Sequence, residues 1–258
     1  MSILELKGVG KRFRGAKGGS PAAVLEDLSL VVEEGEFVTI LGKSGCGKST
    51  LLSIVAGLES PDSGSVVCRG HRVTGPDRHR MLMFQDPALF PWLDVLGNVL
   101  YGLGFVEDLD RAGKIARAEE YLAMVGLADC RRFRIHELSG GMRQRVSLAR
   151  ALAPDPDVLL MDEPFSALDA MTREQLYFDL QRIWEETGKT ILLVTHNVRE
   201  AACLGSRALV LSRPGGITAD EPIPLPHPRG MNDPGLTAIA ARISEFLQNG
   251  TRDDGREA

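Results

Sequence analysis

Four cysteines in 258 residues, Cys46, Cys68, Cys130 and Cys203, stand too far apart for a C-x-x-C pair or for metal-ligand spacing. They read as reduced thiols, leaving no disulfide framework and no cysteine-held metal. Basic charge is also short, with 30 Lys and Arg against 35 Asp and Glu for a net charge of -5. A nucleic-acid surface needs a basic stripe to release counterions, and this balance argues against one. No run approaches the roughly 18 apolar residues of a membrane span. The opening Met1-Ser2-Ile3-Leu4-Glu5-Leu6-Lys7 is too short and too charged for a signal peptide, so a soluble, cytosolic chain is expected. With 43% hydrophobic residues there is material for one large α/β domain, or for a core with a smaller lobe.

What is present is glycine in a telling place. Gly42-Lys43-Ser44-Gly45-Cys46-Gly47-Lys48-Ser49-Thr50 follows the apolar run Phe37 to Leu41 and opens an apolar-periodic segment, Leu51 to Leu58. Strand, glycine-rich turn and helix start together satisfy G-x-x-x-x-G-K-[ST], a phosphate cradle. Its amides and the helix dipole favour an anion, but a dipole contributes only about 0.3–1 kcal/mol. Lys48 must supply a full charge to the β- and γ-phosphates, with the Ser49 hydroxyl on Mg²⁺. Cys46, at a helix start near Lys48, is expected to be a reactive thiol that a ligand in the cradle would protect.

Around this stretch, Ile3 to Leu6, Val24 to Val32, Ser65 to Cys68, Arg80 to Phe84, Asp157 to Glu163, Thr190 to Thr195 and Ala208 to Leu211 read as strands. Arg14 to Ser20 reads as a flexible connection, and Ser60 to Gly64 as a turn. From Ala88 to Leu152 the periodicity becomes helical, indicating an inserted lobe entered through Phe90-Pro91-Trp92. These aromatics suit either a partner surface or the lobe's own core. Phe13 suits either stacking on adenine or the core.

Ligands gather beyond the carboxyl ends of strands in open α/β sheets. Gln85 stands at such an end, as a turn residue or a ligand of Mg²⁺ or water. Asp162 and Glu163 end another strand, where alternation should send them to different tasks, one to metal and one to water. His196 ends a third, on the same edge. Ser139, with Gly140 and Gly141 behind it, reads as a helix N-cap. Beyond Pro214 only an amphipathic stretch with Leu236, Ile239, Ile243, Phe246 and Leu247 stands out, a tail helix packing on the core with no site.

Taken in order, Gly42 to Thr50, Gln85, Leu138 to Met142, Val158 to Glu163, Ser166 to Asp169 and His196 resemble the nucleotide-binding subunit of ATP-binding-cassette transporters. The resemblance implies an α/β P-loop NTPase (RecA-like) core with an N-terminal antiparallel β subdomain and an inserted α-helical subdomain. The core would comprise 1–87 and 153–215, the helical signature-bearing part 88–152, and a tail with a short amphipathic helix 216–258. It also implies ATP and Mg²⁺. Residues 42–50 and Lys48 would hold phosphate, Ser49 and Gln85 would bind Mg²⁺, and Asp162 would hold it through water. Glu163 would be the general base and His196 would contact the γ-phosphate. Ser139, Gly140 and Gly141 would close over the ATP of a second, head-to-tail copy, with Asp169 at that interface and Phe13 at the adenine-stacking position.

Three departures stand out: Met142 in place of the commoner Gln, Asn197 in place of Asp, and Phe13 in place of Tyr. The segment Phe84 to Trp92 and Leu225-Pro226-His227-Pro228-Arg229 also resemble importers of the nitrate, sulfonate and taurine group. In that group the ATPase lies at the cytoplasmic face of the membrane, bound peripherally to two transmembrane permease subunits. A periplasmic or extracellular solute-binding protein feeds them, and no nucleic acid is involved. The competing expectations are a cassette ATPase outside transport and an ATP-dependent interaction module without turnover.

Overall fold

The computed structural model describes residues 1–13 and 21–249; the connection Arg14 to Ser20 lies outside the described residues. The chain begins with two long antiparallel strands, β1 (Ser2–Phe13) and β2 (Ala22–Glu33), followed by β3 (Phe37–Gly42) and the helix α1 (Lys48–Ala56). β4 (Ser63–Cys68) and β5 (His71–Arg72) complete a four-stranded antiparallel sheet in the order β2-β1-β4-β5. Then come β6 (Arg80–Met83), the helices α2 (Val95–Gly102), α3 (Arg111–Met124) and α4 (Gly140–Leu152), and β7 (Val158–Asp162). The chain closes with α5 (Ala170–Thr187), β8 (Thr190–Val194), α6 (Val198–Leu204), β9 (Arg207–Ser212), β10 (Gly216–Pro222) and α7 (Pro234–Asn249).

The second sheet runs β10-β9-β3-β8-β7-β6 and is parallel except for β10, which pairs antiparallel with β9. Every residue of β3 and β8 is buried, as expected where both faces of a parallel sheet are covered. One face packs through Val38, Ile40, Leu160 and Leu192 against α1 and the apolar side of the antiparallel sheet. The other face packs through Leu159, Met161 and Leu193 against the helices. There Val99 of α2, Leu122 of α3, Val146 of α4 and Leu176 of α5 share one continuous cluster with the strands. The three inserted helices are therefore anchored to the sheet.

One element differs from the sequence reading. Residues 216–222, where no strand was expected, form β10 and extend the core sheet. Their alternating exposure belongs to an edge strand whose terminal Pro222 needs no ladder donor. The tail helix spans 16 residues and is anchored by Leu236, Ile239 and Ile243 against Ala201, Ala202 and Val210. Each buried aliphatic side chain contributes about 2 kcal/mol, enough to hold the helix in place.

Candidate nucleotide site

β3 ends at Gly42, and the loop that follows turns into α1 at Lys48. Gly45 (φ 75°) and Gly47 (φ 99°) adopt left-handed backbone, and a Cβ on Gly47 would come within 2.7 Å of the Val24 carbonyl oxygen. Lys48, only 7% exposed, lies across this loop, its ammonium donating to the carbonyls of Gly42 (2.7 Å) and Lys43 (3.0 Å). A cleft of about 420 Å³ opens over the loop, lined by Ser44, Gly45, Gly47, Lys48, Ser49 and Thr50, and across it by Val24, Glu163 and His196. Its residues come from the β3–α1 loop, the first turn of α1 and the ends of β7 and β8, gathered at the sheet's carboxyl edge, with Val24 of β2 added from the antiparallel sheet.

The two carboxylates diverge for a reason other than strand alternation. β7 ends at Asp162, and Glu163 has turned out of the strand into left-handed backbone (φ 46°). The turn is held at both ends. The Glu163 amide donates to the Val194 carbonyl (3.0 Å), and its own carbonyl accepts from the Ser166 hydroxyl (2.9 Å). The Glu163 carboxylate thereby meets His196 Nδ1 at 2.8 Å. Such strain in a non-glycine residue costs about 1–3 kcal/mol and persists where its surroundings enforce it.

Asp162 bonds the Ser49 hydroxyl, and its pKa is raised, first by burial and also by the neighbouring Glu163 charge. A half-buried carboxylate whose charge is poorly solvated, beside a hydroxyl, is an oxygen donor pair suited to a hard cation. Mg²⁺ is held by one or two such groups plus substrate phosphates. The residues present therefore fit it.

The other expected residues lie elsewhere. Gln85 is exposed, two residues beyond β6, and the register Met83 to Met161 carries it toward Asp162 and Glu163 without placing it in the cleft wall. Phe13 ends β1, its ring 5.3 Å from the Lys11 ammonium, and does not line the cleft. Ser139 caps α4, accepting from the Met142 amide (3.3 Å), and Asp169 caps α5, accepting from the Thr172 amide (3.0 Å). These two caps are neighbours: a Cβ on Gly140 would touch Leu168 at 3.5 Å, and Gly141 packs on Thr172. They form a second patch, separate from the cleft of their own chain.

Residues 25–166 match the family model described as ABC transporter. The chain belongs to the ABC transporter family. Over 225 residues it is 46% identical to the taurine import ATP-binding protein TauB of Roseobacter denitrificans, covering 87% of this chain and 83% of that one. Over 255 residues it is 43% identical to the bicarbonate transport ATP-binding protein CmpD of Synechocystis, covering 96% and 90%. A dimeric ATP-binding cassette bound to ADP and Pi superposes with a TM-score of 0.74 at 34% identity, over 86% of this chain and 99% of that one. As an ABC cassette the chain is an ATPase that works with ATP and Mg²⁺.

Within this ABC cassette the sequence departures find local explanations. Asn197 caps α6, accepting from the amides of Arg199 (3.0 Å) and Glu200 (3.2 Å), a task Asn performs as well as Asp. Met142 packs its side chain against the helical core.

Three functional neighbours escaped the sequence reading. Val24 lines the cleft. Glu200, buried and bonded by the Tyr177 hydroxyl at 2.5 Å, shares a polar cavity of about 70 Å³ with Glu163, Arg173 and His196. Arg213 donates from Nε to the Gly45 carbonyl (3.1 Å) and from Nη2 to that of Ser44 (3.3 Å), clamping the loop from outside. Glu200, a carboxylate directly before the apolar run Ala201-Ala202-Cys203-Leu204, was the available signal.

The expected reactivity of Cys46 is overturned. The thiol is 1% exposed, and burial pushes its pKa up, outweighing the nearby Lys48 and Arg213 cations. Its Sγ sits so close beneath Gly42 that a Cβ there would come within 2.5 Å of it. Alkylation with iodoacetamide at pH 7, read by peptide mass, should modify the partly exposed Cys130 first. Cys46 should react more than about tenfold more slowly, with or without ATP. Fast labelling of Cys46 that ATP suppresses would restore the activated-thiol expectation.

Proposed function

We propose that this cassette powers an importer for a small anion of the taurine, sulfonate or bicarbonate kind. The observation that carries its catalytic part is the 2.8 Å contact of Glu163 with His196 on the wall facing Lys48 and Ser49. Lys48 and the loop amides hold the β- and γ-phosphates, and Ser49, Gln85 and Asp162 would hold Mg²⁺. The metal, when bound, neutralises charge developing on the phosphate oxygens. Glu163 orients and deprotonates the attacking water, while His196 steadies that carboxylate and reaches the γ-phosphate. Ser139, Gly140 and Gly141 of a second copy cover the phosphates, with Asp169 at the same seam. Hydrolysis then releases the pair.

The anion class rests on the relatives that import taurine and transport bicarbonate. The test is ATP hydrolysis by the cassette assembled with its two permease subunits in vesicles, in the presence of the solute-binding protein. Binding protein loaded with taurine, another sulfonate or bicarbonate should raise the rate above the unloaded protein. Indifference to all of them would remove the importer-group reading and leave the ATPase standing.

No helix among the described residues is long and apolar enough to cross a membrane, so attachment at the cytoplasmic face would come through the permeases. Phe90 stacks against Tyr101 (4.3 Å between ring centroids) and Trp92 (5.4 Å), leaving Trp92 69% exposed. We assign this aromatic patch to the permease contact. Trp92→Ala should change stability by less than about 0.5 kcal/mol and leave basal ATPase intact. Affinity for the permeases should fall about thirtyfold, as for an aromatic anchor. Equal loss of ATPase and assembly would make Trp92 part of the fold.

A further inference from the structure

β3 and β9 are parallel neighbours whose continuations leave toward opposite faces of the sheet. α1 follows β3 and packs Leu51, Leu52 and Val55 with Ile40, whereas β9 leads through β10 to α7, which packs Ile239 and Ile243 with Leu41 and Val210. A crevice beyond the carboxyl ends of strands that part in this way is where α/β sheets take ligands. Here it holds a second cavity of about 200 Å³ that shares Ser44 with the nucleotide cleft. Its other walls are new, including the end of the tail helix.

Cys46, Leu211, Phe246 and Leu247 give this cavity an apolar interior, and Lys43 and Arg213 give it two cations. No carboxylate lines it, in a chain with a net charge of -5. Arg213 spends two of its five N–H donors on the Gly45 and Ser44 carbonyls. The remaining three have no partner among the described residues, and the Lys43 ammonium is likewise unpaired among them. An apolar cavity of about 150 Å³ accepts benzene, so this one has room for a body of that size.

We propose that the cavity binds a small organic anion with an apolar body, and that its occupation weakens nucleotide binding at the adjoining loop. The sign follows from charge. The ligand's anion would sit against Lys43 and Arg213, one loop thickness from the nucleotide phosphates. Like charges so placed repel, and neutralising two cations beside the cleft lowers its attraction for phosphate. The coupling is reciprocal: nucleotide would expel the anion by the same factor.

Benzenesulfonate is the probe. A non-hydrolysable ATP analogue titrated calorimetrically into the full chain should show a Kd about fivefold higher in saturating benzenesulfonate. Benzyl alcohol, with the ring but no charge, should leave that Kd unchanged. Thr218→Phe and Leu247→Trp fill the cavity from outside the nucleotide cleft; each should bind the analogue as wild type does and lose the response to benzenesulfonate. Either variant decides the matter if the other fails to fold. The proposal is overturned by a wild type indifferent to benzenesulfonate, or by equal effects of benzyl alcohol. A response surviving in the filled variants also overturns it, since the probe would then lie in the phosphate cradle.

Discussion

Glu163→Gln should slow ATP hydrolysis by about 10²–10⁴-fold while nucleotide affinity stays near that of the wild type, because the substitution removes a base and little else. The unusual backbone at Glu163 is fixed by its own amide on Val194 and its carbonyl on Ser166, bonds that do not involve the side chain. Glutamine has the same length and can keep a hydrogen bond to His196, so the geometry persists without a proton acceptor of carboxylate strength. If two copies close over ATP and part after hydrolysis, the variant should also accumulate as an ATP-dependent dimer. Steady-state hydrolysis with Mg²⁺ and light scattering with and without ATP measure both effects. Near-normal turnover would take the general-base role from Glu163. A loss of nucleotide affinity matching the loss of turnover would make it a binding residue.

The contrast between Glu163 and its surroundings shows where the sequence was legible. The floor of the cleft could be read because it comes from one short run, Ser44 to Thr50, at a strand-to-helix turn. The same holds for the core strands β3, β7 and β8, which are continuous, mostly apolar runs buried almost throughout. The divergence of Asp162 and Glu163 was anticipated for the wrong reason: alternation needs both residues in the strand, and a left-handed turn at a glutamate leaves no mark in composition. Cys46 misled in the same way. Its neighbours in sequence suggested a thiolate, while its burial depends on packing under Gly42 that only the folded loop reveals.

Arg213 was invisible because its partners, Ser44 and Gly45, lie about 170 residues away in the chain, brought near by the pairing of β3 with β9. Beside Pro214 and Gly215 it belongs to no motif. The tail helix was legible as an amphipathic segment, yet its end helps enclose a cavity, which periodicity cannot express. Residues that stand at recognisable strand ends, Glu163 and His196 among them, survive in sequence, whereas Arg213, which belongs to no motif, becomes visible only when the sheet is assembled.

Ser139→Asp should leave the fold intact and abolish hydrolysis. Aspartate caps a helix about as well as serine, so α4 keeps its cap and the melting temperature should hardly move. Within one chain the new carboxylate is remote from the phosphates, since Ser139 lies outside the wall of its own cleft, and monomer nucleotide affinity should be unchanged. In a head-to-tail pair the same carboxylate would face the partner's γ-phosphate. Two unit charges about 4 Å apart at an effective dielectric of about 20 repel by about 4 kcal/mol, a factor of roughly 10³ against closure. Ser139→Ala, by contrast, loses the cap, about 1 kcal/mol, without adding charge. Mixing makes the test decisive. Ser139→Asp keeps a sound cleft and spoils its cover, whereas Lys48→Ala spoils the cleft and keeps the cover. Each alone should be inactive, and the mixed pair should regain one intact site and with it hydrolysis. Activity of Ser139→Asp on its own would reduce Ser139 to a helix cap; failure of the mixture to recover would show that the two copies do not share their sites.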